Sequence, residues 1–223
     1  MSKTDLLYTV ILGSAFISLF ALAETLYHYF NTKVEITRKI VHLGTGLLTL
    51  LFPLMLDDHR LVLLLCSSFV VILLVSLRYN FLKSVNAIDR KSVGSIAYPI
   101  AVYGCYLAFN YFDHQYAYFY IPILILAICD PVAALAGKKW PMGKYKIGSS
   151  NKTLMGSSMF FLSAFIVIVV LSMMEHNMTR IVMRGVIIAL FSTVSEAITG
   201  RGYDNVTIPI SVLGSLIVID QLT

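Results

Sequence analysis

Apolar runs about as long as a membrane-spanning helix recur along almost the whole chain, separated by short polar connections. Inside hydrocarbon every backbone N–H and C=O must be satisfied by the chain itself, so such runs form helices rather than open strands. Eight runs qualify, at roughly 5–30, 38–56, 60–79, 93–112, 116–137, 153–174, 181–200 and 207–222. The expected fold class is all-α: a polytopic transmembrane helical bundle with about eight membrane segments. Charge content agrees, because 13% charged residues is about half the share found in soluble domains. No Gly-, Ser- or Pro-rich spacer divides the sequence, so residues 1–223 read as one integral membrane domain. Between the third and fourth runs, Phe81, Leu82, Val85 and Ile88 recur at helical spacing within residues 79–91. That stretch reads as a short amphipathic helix lying on the membrane surface.

The 17 Lys and Arg residues set the expected orientation. Thirteen of them fall in four connections that alternate with the rest, including Lys33, Arg38 and Lys39, then Arg78, Lys83, Arg90 and Lys91. A third group is Lys138, Lys139, Lys144, Lys146 and Lys152, and the fourth connection holds Arg201. Basic loops stay in the cytoplasm, so this side is expected to be cytoplasmic. The formal charge of +5 suits an anionic leaflet or a phosphate ligand. Nucleic acid is excluded as a partner, since no soluble basic domain is present to bind it. Cys66, Cys105 and Cys129 lie inside apolar runs without CxxC spacing and read as packing residues.

Three acids interrupt the apolar runs: Glu24, Asp130 and Glu196. An acid at the centre of a membrane helix costs roughly 2.5–3.5 kcal/mol and persists where it faces a partner, water or a ligand. Each lies one to two turns before the basic end of its run, which points to a shared polar pocket there. Glu24 has a plain alternative in pairing with Lys33, Arg38 or His28. The stretch from 128 to 158 supplies Asp130, a loop carrying Lys138, Lys139, Lys144 and Lys146, and Lys152 at the head of the next run. An acid can hold a metal ion, and clustered lysines can hold phosphates. Arg38 and His42, at i and i+4, can offer two donors to one anion, although Arg38 also serves as a topology signal. Ser92, Gly94 and Ser95 sit at an expected helix start, where an anion is readily cradled; close helix packing explains the same small residues. Glu196, Arg201, Asp204 and Asn205 follow one another near the C-terminus. Acid and amide oxygens suit Mg²⁺ better than a soft metal. No P-loop is present, because Gly148 is followed by Ser149 rather than by Lys.

In order, RKIVH (38–42), KSVGSIAYP (91–99), CDPVAALAGKKW with GKYKIGSSNKTLMGS (129–157) and SEAITGRGYDNVTIP (195–209) resemble the motifs of the polyprenol kinase family. That family comprises phytol kinases, dolichol kinases and CTP-dependent diacylglycerol kinases. The likeness covers roughly residues 36–212 and is nearest to short phytol-kinase-like members. It implies an integral membrane enzyme, a phosphotransferase that moves the terminal phosphate of CTP to a lipid alcohol with Mg²⁺ or another divalent cation as cofactor. Carried over by position, it implicates Arg38, Lys39, His42, Ser92, Gly94, Tyr98 and Pro99. In the third motif it implicates Asp130, Ala134, Gly137, Lys138, Gly143, Lys152, Thr153 and Gly156, and in the last Glu196, Asp204, Asn205 and Pro209. Cys129, Lys139 and Thr153 are mild departures from the residues common at those places.

On this resemblance, Asp130, Glu196 and Lys152 are the expected catalytic residues. Arg38, His42, Ser92, Lys138, Lys144, Lys146, Lys152, Thr153 and Gly156 are expected around the triphosphate. Asp130, Asp204, Asn205 and Glu196 are the expected metal ligands, with Asp130 or Glu196 alternatively taking the alcohol proton. The site is expected at the cytoplasmic rim, with the lipid entering from the bilayer. A phosphatidate cytidylyltransferase-like enzyme would use similar groups, and an anion transporter would need polar residues in both membrane halves.

Overall fold

The computed structural model describes residues 3–79, 81–86, 93–148, 150–173 and 177–222. Helices dominate it. In chain order they are α1 (Lys3–His28), α2 (Val34–Thr49), α3 (Phe52–Met55), α4 (His59–Tyr79), α5 (Lys83–Asn86), α6 (Gly94–Tyr111), α7 (Ala117–Leu124), a π turn (Ile125–Cys129) running into α8 (Asp130–Lys139), α9 (Leu154–Leu171), α10 (Met178–Ile198) and α11 (Asp204–Leu222). A small antiparallel hairpin, β1 (Lys144–Ile147) with β2 (Ser150–Thr153), interrupts the series between α8 and α9. The segment expected to be a loop is therefore ordered by backbone pairing.

Among the described residues five helices are long and apolar enough to cross a membrane: Thr4–His28, His59–Tyr79, Ala117–Lys139, Leu154–Leu171 and Met178–Ile198. The runs expected at 38–56, 93–112 and 207–222 fall on α2, α6 and α11, which are helical but fall short of that combined length and apolarity among the described residues. α2 has 16 residues, about 24 Å at 1.5 Å per residue, against roughly 30 Å of hydrocarbon. It stops before Pro53, which opens the single turn of α3. These three helices carry many of the polar side chains described below. Of the surface helix expected over 79–91, the described residues show the one turn of α5, and residues 80 and 87–91 lie outside the described residues. Leu82, Ser84 and Val85 are buried there, and Ser84 N–H donates to Glu24 Oε1 at 2.8 Å. Glu24 also meets His28 at 3.1 Å, so this acid ties α5 to α1 instead of joining the other two.

The segment Ala117–Lys139 is the centre of the bundle. Of its most apolar stretch 61% is buried, against 22 to 39% for the other four long helices. Phe119, Ile123, Ile125, Leu126, Ala127 and Cys129 are all fully enclosed. The outer faces of α1, α9 and α10 present apolar side chains such as Ile17, Leu22, Ile166 and Leu190, as a bilayer requires. Gly46 lets α2 cross this central segment closely: a Cβ there would stand 2.3 Å from Ala127 Cβ and 2.7 Å from Tyr98 Oη.

Candidate active site

Two prolines flank the element that presents Asp130. Pro122 lies inside α7, and Pro131 follows Asp130 directly. Between them the helix widens to i→i+5 pairing over Ile125–Cys129, a local form common at functional sites. In that register the carbonyl of Leu126 looks to the amide of residue 131, which is proline and has none. His42 Nε2 supplies the donor at 2.9 Å. A carbonyl can only accept, so Nε2 carries the hydrogen and Nδ1 is the acceptor nitrogen of the neutral ring. The same Nε2 lies 4.0 Å from Asp130 Oδ2, and the ring meets Tyr98 edge-on with centroids 4.8 Å apart. Lys39 Nζ donates to Pro131 O at 3.4 Å. The first motif is thus clamped onto the third.

The hairpin delivers Lys152. In its register Lys152 pairs with Tyr145, while Lys144 and Lys146 pair with Thr153 and Asn151. Paired residues share a face and successive ones alternate. Lys152 and Tyr145 therefore face inward, whereas Lys144 and Lys146 point outward and are exposed. Lys152 Nζ lies 2.6 Å from Glu196 Oε1 and 3.9 Å from Asp204 Oδ2, and it also donates to the Glu196 carbonyl oxygen. Its side chain is 12% exposed and that of Glu196 11%, so this is a buried ion cluster and not a surface pair. Ser157 Oγ donates to Glu196 Oε2 at 3.5 Å and lies 2.8 Å from Tyr145 Oη. Asp130 is within electrostatic reach of both Glu196 and Asp204. Two carboxylates thus face one ammonium, with a third, Asp130, acting on both of them, and the cluster is formally negative. Such a cluster favours a cation.

The loop between α10 and α11 joins the remaining motifs. Arg201 N–H donates to Ser150 Oγ at 3.2 Å, and Arg201 O accepts from Val93 N–H at 3.0 Å. Arg201 and Gly202 hold φ of 58° and 90°, turning the chain sharply enough for both contacts. Asn205 Nδ2 donates to Gly94 O at 2.7 Å, which leaves its Oδ1 as the acceptor end. Thr153 caps α9 by accepting from Gly156 N–H at 3.0 Å. A Cβ on Gly137 would come within 2.6 Å of Thr153 Oγ1, so α8 and α9 touch at this cap.

Asp130, His42, Lys152, Glu196, Asp204 and Asn205 are thus gathered at the one end of the bundle where α2, α6, α9 and α11 begin and α8 and α10 end. Arg38 is partly buried and lines a cavity beside His42. Lys138 is paired with Glu35 on the exposed flank, apart from Lys152. Ser92 lies outside the described residues. Thr153 and Gly156 are engaged with each other in the helix cap. Ser157 and Tyr145 were not foreseen; the alternation of KYKI and the Gly148–Ser149 turn signal are the features that point to a hairpin, and hence to Tyr145 beside Lys152.

The chain is 30% identical over 200 residues to the phytol kinase of Synechocystis sp., covering 88% of this chain and 83% of that protein. No family model matches the chain, and no solved structure matches it.

Proposed function

The chain belongs to the polyprenol kinase family, and on that premise we propose that it is a membrane kinase moving the terminal phosphate of CTP onto the hydroxyl of a lipid alcohol such as phytol. The observation that carries this reading is the convergence of Asp130, Lys152, Glu196 and Asp204 at one end of the bundle. One substrate is soluble in water and the other in the bilayer, so a reaction between them belongs at the rim. The basic connections support a cytoplasmic side for that rim.

Phosphoryl transfer needs alignment and charge neutralisation more than covalent help. Among the described residues no three His, Cys, Asp or Glu side chains gather into a metal cage. Magnesium usually takes one or two protein carboxylates and completes its shell with phosphate oxygens and water, so the donor set fits it. Asp130 and Asp204, with Glu196 or the amide oxygen of Asn205, would hold it, and it would supply charge neutralisation to the phosphates. Lys152 would meet a phosphate oxygen from inside, with Arg38 as a further cation; His42, expected to donate to the phosphates, has its Nε2 hydrogen engaged by the Leu126 carbonyl. Lys138, Lys144 and Lys146 stand further out and draw the polyanion inward. The alcohol oxygen bonds to the terminal phosphorus, the bond from that phosphorus to the bridging oxygen breaks, and CDP leaves. The hydroxyl proton passes to a carboxylate, Asp130 or Glu196.

The test is purified protein incubated with labelled CTP or ATP and a panel of lipid alcohols. The reading requires CDP and the lipid monophosphate. Release of pyrophosphate, or no transfer to any alcohol, overturns it.

A further inference from the structure

A half-open cavity, with about 730 Å³ of empty space that is partly continuous with solvent, runs inward from the site between α1, α2, α4 and α6. Its chemistry changes along its length. At the end nearest Asp130 it is lined by Arg38, His42, Ser95 and Asn205. Beyond them the walls are Phe20, Val41, Phe69, Leu73 and Pro99, and its far end is formed by Phe16, Thr49, Phe52, Cys66 and Val102. Along α2 the lining positions Arg38, Val41, His42, Thr45 and Thr49 recur at helical spacing on one face. From Arg38 to Thr49 the helix rises by about 11 residue steps, about 16 Å of depth. The far end is firmly built: Phe16 packs edge-on against Phe52 at 5.9 Å and against Phe69 at 4.7 Å. Thr49 turns its hydroxyl away to Gly46 O at 2.8 Å, which leaves its methyl group to the cavity.

We propose that this cavity takes the hydrocarbon tail of the lipid alcohol, hydroxyl at the His42 end, and that Phe16, Thr49, Phe52, Cys66 and Val102 set the longest tail accepted whole. The proposal rests on the kinase reading for the identity of its ligand. A tail leaving the bilayer gains little from hydrophobicity, because lipid is as apolar as the cavity wall. Selection must therefore come from shape. A tail that fits places its hydroxyl among His42, Ser95 and Asn205. One that is too long either meets the far wall and holds its hydroxyl away from Asp130, or has to leave between helices.

The experiment has two arms. In the first, an isoprenoid alcohol bearing a diazirine at its tail terminus is photolysed with the wild-type protein in nanodiscs, and the labelled residues are mapped. Label at Phe16, Phe52 or Cys66 is expected; label absent from that end, or confined to outward-facing residues, overturns the proposal. In the second, kcat/KM is compared for a ten-carbon and a twenty-carbon isoprenoid alcohol. Thr49→Phe should shift that ratio toward the shorter alcohol by about tenfold or more, and Phe52→Ala should shift it toward the longer. A ratio that stays within about twofold of wild type in both variants overturns the proposal even if kinase activity is normal. Far-end labelling without phosphorylation of any alcohol would instead retain the cavity assignment and sink the kinase reading.

Discussion

His42 Nε2 donates to the carbonyl oxygen of Leu126 at 2.9 Å, filling the place of an amide that Pro131 lacks. A proline in the central helix thereby leaves a docking point for another helix 84 positions away. The same Nε2 stands 4.0 Å from Asp130 Oδ2, beyond hydrogen-bond length, so the contact brings the ring beside that carboxylate without binding it.

Removing this donor should cost stability, and restoring an amide should recover it. His42→Ala leaves a buried carbonyl unpaired, a loss of about 1–3 kcal/mol. In the double variant with Pro131→Ala, residue 131 gains an N–H that can serve Leu126. The paired variant is expected to recover part of that stability, which unfolding in detergent for the two single variants and the double variant measures. Strict additivity would show that the carbonyl was never short of a donor.

Asp130→Asn preserves size and shape while removing a charge. Transfer of phosphate is expected to fall by roughly 10²-fold or more, with the protein still monodisperse and helical. The check is the initial rate with labelled CTP alongside size-exclusion and circular dichroism. Full activity would remove Asp130 from the reaction.

Lys152→Met breaks a buried pair and leaves Glu196 uncompensated. Breaking such a pair costs about 3–5 kcal/mol, whereas replacing both partners is often neutral. Lys152→Met with Glu196→Gln should therefore regain stability but not activity. Thermal unfolding and turnover, measured on the same preparations, separate the structural contribution from the catalytic one. Recovery of turnover in the double variant would show that neither group takes part in the chemistry.

Gly137→Ala introduces a methyl group 2.6 Å from Thr153 Oγ1, beside the residue that follows Lys152. Overpacking of this kind costs about 1–3 kcal/mol. The hairpin should shift with the cap, so KM for CTP is expected to rise more than stability falls. Unchanged KM would mean that Lys152 is held by the hairpin independently of the α8–α9 crossing.

The exposed lysines lend themselves to a salt titration. Lys144 and Lys146 point outward, where screening acts fully. Their replacement by Gln together should weaken the ionic-strength dependence of kcat/KM for CTP and leave kcat within about twofold. A large fall in kcat would place one of them against the phosphates.

Sequence alone determined that the chain folds as helices in a membrane, because long apolar runs leave the backbone no other way to satisfy its polar groups. It also marked Asp130 and Glu196, since an acid in such a run is costly enough to require a reason, and the order of four motifs identified the family. What it left open was which polar groups meet. Glu24 had pairing with Lys33, Arg38 or His28 as its alternative; it meets His28 and is also spent on Ser84 N–H, a contact that depends on where α5 packs. The five basic residues from Lys138 to Lys152 looked like one cluster. Strand alternation in a hairpin of two four-residue strands sends Lys152 inward and Lys144 and Lys146 outward, and a side chain's face is fixed only once register is fixed. The tertiary structure decided these matters because pairing across tens of residues depends on helix crossings, such as those at Gly46 and Gly137, that no local pattern encodes.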